Sequence, residues 1–241
     1  MKLDVFEYSN KGGRSYNEDS AGWNFEDGKG VFIVADGLGG HSFGELASQC
    51  AVSTIIGGWQ GIGDDPKAMI TAAVKNANDS ILELQKQKNT MMKSTLALLA
   101  LENGRIAIAN SGDSRVYCFH NNELTACTED HSVAYKKYKA GEITRDMLAT
   151  DEDQSRLLRS LGGTDRFEPD VREMPYQYTA GDAFLLCSDG AWEYLRDDEI
   201  LIDLFKAEDA RQWAELLLLR IMGRINGEND NLSLITVRLE A

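Results

Sequence analysis

The chain has 241 residues, of which 43% are hydrophobic and 27% charged, and its formal net charge is −14. This composition is typical of a soluble globular protein with one large domain or two small ones. The negative charge argues against nucleic acid or an anionic membrane as the main partner, and the apolar runs are too short to cross a bilayer.

Short apolar segments predict a protein rich in β-strands. In chain order they are residues 3–8, 21–25, 31–35, 95–101, 105–110, 115–120, 183–188 and 232–239. Turn sequences at Asp27-Gly28, Asn103-Gly104 and Asn121-Asn122 indicate two-residue hairpins. Parallel neighbours need a dozen or more connecting residues, so strands joined this tightly must be antiparallel.

Three amphipathic segments predict helices that cover these strands. Residues 43–56 and 209–224 each carry an apolar stripe, and Asp65-Pro66 is an N-cap and first-turn pair that opens a helix to about Lys88. In the helix that ends near Lys88, the residues expected to face inward are Met69, Ile70, Ala73, Val74, Ala77, Ile81 and Leu84. Antiparallel strands with long helices between hairpins favour a layered α+β fold, in one domain over residues 1–241.

Residues 132–167 differ from the rest of the chain. They are rich in Lys, Arg, Asp and Glu, with weak helical periodicity and no strand pattern. A long polar insertion in a compact domain often serves as a lid or mobile loop. A solvated helical excursion explains the residues equally well.

The cysteines and histidines argue against zinc and redox chemistry. The four cysteines never occur as CxxC, and the three histidines never form HExxH. The N-terminal sequence MKLDVFEYSN has an acid where a signal peptide needs its hydrophobic stretch. We therefore expect a cytoplasmic protein with reduced thiols.

Five aspartates share one local setting, a turn marked by Gly or Asn at the end of an apolar run. They are Asp19, Asp36, Asp113, Asp189 and Asp230. Any one of them is explained equally well as a turn former. A carboxylate beside a hydrophobic strand costs several kcal/mol unless it is paired or bound to a metal. The repeated pattern therefore indicates one shared cation site.

The type of acid indicates the type of cation. Mg²⁺ and Mn²⁺ prefer oxygen ligands, and the short stem of Asp holds its carboxylate close to a rigid turn. Asp36 directly follows an apolar strand, and Gly37 after it lets a backbone carbonyl approach a metal. Asp189 repeats this strand–Asp–Gly arrangement. If these strand ends meet, they can hold two cations that activate a water for displacement at phosphorus.

Seven motifs in order point to a family. They are RSYNED (14–19), VADGLGGH (34–41), KSTL (93–96), NSGDSR (110–115), DHS (130–132), SDG (188–190) and NDN (229–231). This set closely resembles the metal-dependent protein Ser/Thr phosphatases of the PP2C (PPM) type, in their compact bacterial form, over about residues 5–238. The resemblance implies a four-layer α-β-β-α sandwich, in which two antiparallel sheets pack face to face with helices outside each.

The resemblance also implies roles for single residues. Asp36 would bridge two Mn²⁺ or Mg²⁺ ions, and Gly37 would add its carbonyl. Asp189 and Asp230 would bind the first ion. In the same way, Asp19 would serve the second ion, partly through water and supported by Glu18, and Asp113 with Asp189 would bind a third, weaker ion. Arg14 would grip the substrate phosphate, because its planar fork can donate two hydrogen bonds.

The chain departs from the family pattern in two places. Leu38 stands where some relatives have a histidine that can protonate the leaving group. Residues 132–167 match the family's variable flap, but Asp151–Arg156 replaces a run containing His-Pro that is common in bacterial relatives. His41 and His131 occupy motif positions, and we favour a structural role for both.

Other enzyme classes fit the residues less well. Residues 151–155 resemble the DxDx(T/S) nucleophile of aspartate-based phosphotransferases, but the preceding residues are polar and helix-like. The chain has no P-loop, and no cysteine is followed six positions later by arginine. Two alternatives stay open: a pseudophosphatase that binds phosphoproteins without turnover, and an acidic interaction domain whose aspartates only form turns.

The resemblance thus implies metal-dependent hydrolysis of phosphoserine and phosphothreonine in proteins. We expect a monomer that opposes a Ser/Thr kinase or acts on its substrates, with no role for nucleic acid or membrane.

Overall fold

The computed structural model describes residues 2–39, 43–163 and 168–240. Its strands are β1 (Lys2–Asn10), β2 (Asp19–Glu26), β3 (Lys29–Leu38), β4 (Lys93–Ser94), β5 (Leu96–Glu102), β6 (Arg105–Ser111), β7 (Arg115–His120), β8 (Glu123–Cys127), β9 (Asp170–Glu173), β10 (Ala183–Cys187) and β11 (Leu232–Glu240). Its helices are α1 (Phe43–Gly57), α2 (Pro66–Lys88), α3 (Val133–Lys139), α4 (Asp189–Trp192), α5 (Asp197–Lys206) and α6 (Ala210–Met222), and a 3-10 helix spans Arg145–Thr150.

The strands form two antiparallel sheets. One has the order β1-β11-β10-β7-β8, and the other has the order β2-β3-β5-β6-β9 with β4 paired to β3. The first and last strands of the chain are neighbours, because β1 pairs with β11 along its whole length. This pairing brings residues near the two ends of the sequence to the same end of one sheet.

The three predicted hairpins are present. Asp27-Gly28, Asn103-Gly104 and Asn121-Asn122 join β2 to β3, β5 to β6 and β7 to β8, and all six residues have positive φ. Two positive φ angles define the type I′ turn, whose twist matches that of antiparallel strands. Asn and Gly tolerate this conformation, which is why the turns were readable from sequence.

Apolar residues on both faces of the central strands create three core layers. In β3, Phe32 and Val34 pack against Phe184 and Ile235 of the other sheet. The alternate residues of β3 pack instead under α1 and α2, and α5 and α6 cover the opposite sheet. Successive side chains of a strand point to opposite faces, so a strand apolar throughout must be covered twice. The predicted four-layer α-β-β-α sandwich is confirmed.

Helix α2 begins as predicted, with one difference in its packing. The Asp65 side chain accepts a hydrogen bond from the amide of Ala68, and Pro66 occupies the first turn. The prediction for Met69 is wrong, because 38% of its surface is exposed. Met69 lies one position from buried Ile70, so it flanks the apolar stripe instead of belonging to it.

Sequence patterns did not predict β4, β8, β9, α3, α4 or α5. For α5, the ion pairs of its buried acids explain why the sequence pattern did not predict the helix. Glu199 and Asp203 are buried and interrupt the apolar stripe, but Arg224 and Arg220 neutralise them at 2.6 and 2.9 Å. These partners lie about twenty residues away, so the local pattern could not reveal that buried acids belong to this helix.

Residues 132–163, named here the flap segment, contain α3 and the 3-10 helix but no strand. Ala134, Tyr135 and Leu148 form a small apolar cluster of their own. An isolated bridge between Ser132 and Leu157 closes the segment on itself, and a second bridge between Ser94 and Leu161 joins it to the sandwich. The described part of the predicted insertion is therefore partly helical and packs around its own apolar cluster.

Among the helices of residues 2–39, 43–163 and 168–240, none is both long and apolar enough to span a bilayer.

Candidate metal centre

Strand ends carry the predicted acids to one end of the sandwich. Asp19 begins β2 and lies directly opposite Asp36 of β3 in the strand register. Asp189 follows β10 and opens α4, and Asp230 stands just before β11. Like charges directly opposite each other destabilise a sheet. This pairing of two aspartates is therefore a cost that a bound cation would remove.

A cavity of about 500 Å³ connects most of the predicted residues. Its lining includes Arg14, Glu18, Asp36, Gly37, Asp189 and Asp230. Residues as far apart in sequence as Arg14 and Asp230 thus share one concave surface, whereas Asp19 does not belong to its lining.

Burial, and to a smaller extent the charges of neighbouring acids, raise the pKa values of these carboxyl groups. Burial, followed by the charges of neighbouring acids, raises the pKa of the Asp36 carboxyl well above its usual range. Burial likewise raises the pKa of Asp19 to about 7 and that of Asp189 to about 6. Carboxylates that raise each other's pKa in this way share a site that favours positive charge.

Asp19 gives the clearest sign that a cation fits here. It is only 6% exposed, and its Oδ2 accepts a hydrogen bond of 2.7 Å from the Ser188 hydroxyl. Within the part of the chain that the structure describes, its buried Oδ1 has no hydrogen-bond partner. An unpartnered buried carboxylate oxygen among other acids matches the oxygen ligands that Mn²⁺ and Mg²⁺ prefer.

Two of the carboxylates, those of Asp230 and Asp189, accept hydrogen bonds from nearby protein groups. Asp230 Oδ2 accepts from Arg14 at 2.7 Å, and Asp189 Oδ1 accepts from the Gly190 amide at 2.7 Å. Accordingly, among the described residues no three acidic, histidine or cysteine side chains already surround one point as ligands of a single ion.

The backbone around Asp36 is held rigidly. The Asp36 amide donates to the Thr95 hydroxyl, and its carbonyl accepts from the Thr95 amide, both at 2.8 Å. Gly37 lies so close to Gly44 that a Cβ atom would be 2.1 Å from the Gly44 carbonyl oxygen. Position 37 therefore requires glycine for a steric reason, which fits a carbonyl that approaches the centre closely.

Arg14 lies at the mouth of the cavity. Its side chain is 59% exposed and pairs with Asp230. The loop that carries Arg14 is tied to the Asp230 loop by the Gly13 amide, which donates to the Asn229 carbonyl at 2.9 Å. A partly free guanidinium beside the acids is placed to meet an anionic substrate that enters from solvent.

Asp113 and Glu18 lie at the margin of the centre. Asp113 is buried, and burial with the charge of Asp189 raises its pKa well above the usual range. It does not belong to the lining of the cavity that Asp36 faces. Glu18 lines the cavity, and its Oε1 accepts a hydrogen bond from the Gly44 amide at 3.2 Å.

One of the two motif histidines, His131, contacts two other segments of the chain. His131 Nδ1 accepts from the Gly112 amide at 3.2 Å, and Nε2 lies 2.8 Å from Asp170 Oδ2. These contacts tie neighbouring segments together, as a structural role requires. His41 lies outside the described residues.

Three residues near the centre were not among the sequence-predicted site residues. Buried Asn231 links two loops: its amide donates to the carbonyls of Lys11 and Tyr16, and its Oδ1 accepts from the Glu18 amide. The NDN motif (229–231) was the only sequence feature that pointed to Asn231. Glu193 had no sequence signal, and Gln154 lies in the run Asp151–Arg156 that departs from the family pattern. Burial, followed by the charges of Asp189 and Asp230, raises the pKa of the Glu193 carboxyl to about 8.

A cluster of strand-end aspartates beside an exposed arginine, set in an α-β-β-α sandwich, defines a metal-dependent phosphoester hydrolase. The comparisons with known proteins agree. The family model described as protein phosphatase 2C matches residues 8–217. The chain therefore belongs to the protein phosphatase 2C family.

The chain is similar to named phosphatases over most of its length. It is 30% identical over 236 residues to the serine/threonine phosphatase stp of Listeria welshimeri, and the match covers 93% of this chain and 90% of that protein. It is 31% identical to the serine/threonine protein phosphatase PstP of Mycobacterium tuberculosis, over 92% of this chain and 42% of that protein.

Solved structures show the same architecture. The crystal structure of Mycobacterium tuberculosis PstP matches with a TM-score of 0.87 at 28% identity, and the match covers 99% of each chain. A second structure, of the PstP catalytic domain in complex with two manganese ions, matches with a TM-score of 0.83 at 28% identity over 99% of each chain.

Proposed function

We propose that this protein is a protein Ser/Thr phosphatase that hydrolyses phosphoserine and phosphothreonine with two Mn²⁺ or Mg²⁺ ions. The observation that carries the proposal is the convergence of Asp19, Asp36, Asp189 and Asp230 beside Arg14. Membership of the family and the two manganese ions of a related structure support the choice of reaction and cofactor.

The residues divide the work as follows. Asp36 would serve both ions, and the Gly37 carbonyl would add a ligand to one of them. Asp189 and Asp230 would hold the first ion, and Asp19, supported by Glu18, would serve the second partly through water. When bound, the pair of ions supplies Lewis acidity and an activated water for in-line attack at phosphorus. Asp113 with Asp189 would hold a third, weaker ion.

Arg14 would recognise the phosphate. Its guanidinium now donates to Asp230 Oδ2, and a phosphate oxygen offers the same kind of acceptor. Transfer of this hydrogen bond from carboxylate to substrate would orient the phosphorus and neutralise charge that develops in the transition state. The attack is direct, so we expect no phosphoenzyme.

The proposal is tested by metal removal. Activity on p-nitrophenyl phosphate and on a phosphothreonine peptide should vanish with excess chelator and return when Mn²⁺ is restored. The same Mn²⁺ titration should raise the melting temperature. Activity that survives complete metal removal would refute the mechanism.

Arg14→Ala should mainly raise the KM, by about tenfold to a hundredfold, since a charge-assisted contact to phosphate contributes roughly 1.5–3 kcal/mol. Steady-state kinetics with the phosphothreonine peptide measure this change. Lys11→Ala is the matched control, because it removes an exposed cation from the same loop. Equal kinetics for Arg14→Ala and the parent would show that the assigned role is wrong.

A pseudophosphatase would bind phosphoproteins on the same scaffold, and such proteins typically lose metal-binding acids. This chain retains Asp19, Asp36, Asp189 and Asp230 together with Arg14, which favours catalysis. We further propose that the chain acts as one domain with the flap over residues 132–167, as a cytoplasmic monomer, and that it opposes a Ser/Thr kinase.

A further inference from the structure

The flap segment sends one turn, residues 151–156, to the edge of the catalytic cavity. The turn is closed by backbone hydrogen bonds from the Gln154 amide to the Asp151 carbonyl at 3.0 Å and from the Arg156 amide to the Asp153 carbonyl at 3.1 Å. Ser155, at its tip, lines the same cavity as Asp36 and Asp189. The turn is therefore one wall of the site.

Lys137 of α3 holds this turn in place. Its ammonium lies 2.9 Å from an Asp151 oxygen and 2.7 Å from an Asp153 oxygen. The three side chains are 24%, 10% and 16% exposed, so this clamp is largely shielded by the flap. The Asp151 carboxylate also accepts from the Asp153 amide at 2.9 Å. Lys137 thus contacts both acids of the turn, and Arg156 adds a second contact to Asp153 at 2.6 Å.

Gln154 points from the clamped turn to the acid cluster. It is 9% exposed. Its Oε1 accepts a hydrogen bond of 2.8 Å from the Ser155 hydroxyl, which directs its amide nitrogen away from Ser155. That nitrogen lies 3.5 Å from Asp189 Oδ2.

We propose that Gln154 is a positioning residue for the Asp189 carboxylate and that Lys137 sets its place by clamping the flap turn. A neutral amide can orient a ligand carboxylate without adding charge to the centre. Contacts of this kind to metal ligands typically change metal affinity by 10–100-fold. The inference rests on the proposed function only in that Asp189 binds the metal.

The test compares Lys137→Met and Gln154→Leu with the parent chain. Each variant should raise the Mn²⁺ dissociation constant by about tenfold, measured from the dependence of melting temperature on Mn²⁺ concentration. Turnover of p-nitrophenyl phosphate at limiting Mn²⁺ should fall in parallel and recover when Mn²⁺ is raised. Lys137→Arg should retain parent affinity, since arginine can bind both acids.

Lys139→Met is the matched control. Lys139 belongs to the same helix but pairs with Glu129 at an exposed site, so its loss should leave Mn²⁺ affinity unchanged. A Gln154→Leu variant that binds Mn²⁺ within about twofold of the parent would overturn the inference, even if Lys137→Met fails to fold. Failure of the parent itself to bind Mn²⁺ would instead overturn the proposed function.

Discussion

Asp36→Asn should lower turnover by at least about 1,000-fold while the protein still folds. Asp36 is expected to bridge both ions, so the change removes a ligand from each at once. An amide has the same shape as the carboxylate, and the strand hydrogen bonds of position 36 come from the backbone. Kinetics with p-nitrophenyl phosphate at saturating Mn²⁺ measure the loss, and circular dichroism reports the fold.

The control is Asp27→Asn at the other end of the same hairpin. Asp27 is exposed and occupies the turn with φ of 51°, a conformation that Asn also tolerates. This variant should keep parent activity. If Asp36→Asn also retained substantial activity with unchanged Mn²⁺ dependence, Asp36 would not be the bridging ligand.

Asp19→Asn should make the metal-free protein more stable. It should also reduce the stability that the protein gains when Mn²⁺ is added. At pH 8 the Asp19 carboxylate is above its pKa of about 7 and is therefore charged, buried and opposite Asp36. Removing the charge should increase the free energy of unfolding by about 2–4 kcal/mol, since one pKa unit corresponds to roughly 1.4 kcal/mol. Denaturant unfolding in excess chelator measures this gain.

The sign of the pH dependence follows from the raised pKa. Burial makes the folded protein hold this proton more tightly than the unfolded chain does. The cost of ionising Asp19 is therefore absent below pH 4, grows between about pH 4 and pH 7, and is complete above pH 7. The advantage of Asp19→Asn should shrink in the same order as the pH is lowered.

Addition of Mn²⁺ should reverse the ranking. The parent should gain stability with metal, whereas Asp19→Asn should gain less because it lacks a ligand of the second ion. A metal-free Asp19→Asn protein less stable than the parent at pH 8 would contradict this account. The comparison thus separates an acid kept for metal binding from an acid kept for folding.

The sequence alone determined much of the scaffold. Hairpins at Asn103-Gly104 and its two counterparts were readable because only certain residues tolerate positive φ. Helix α2 was readable at its start, since Asp65-Pro66 opens it, and it ends at Lys88 as predicted. Continuous apolar strands indicated cover on both faces, which the four layers supply.

The sequence also indicated the candidate metal-binding acids. Their shared strand-end setting singled out Asp19, Asp36, Asp113, Asp189 and Asp230, because such settings need a counter-charge. Their order along the chain indicated the family, and the family model agrees.

Only the tertiary structure decided how these residues meet. The register that sets Asp19 opposite Asp36, and the pairing of β1 with β11 that brings Arg14 to Asp230, depend on contacts between distant segments. The same holds for the Lys137 clamp and for Gln154 beside Asp189. Local propensity reflects a few neighbouring residues, whereas hydrogen bonds and charge pairs across the fold are chosen by packing of the whole chain.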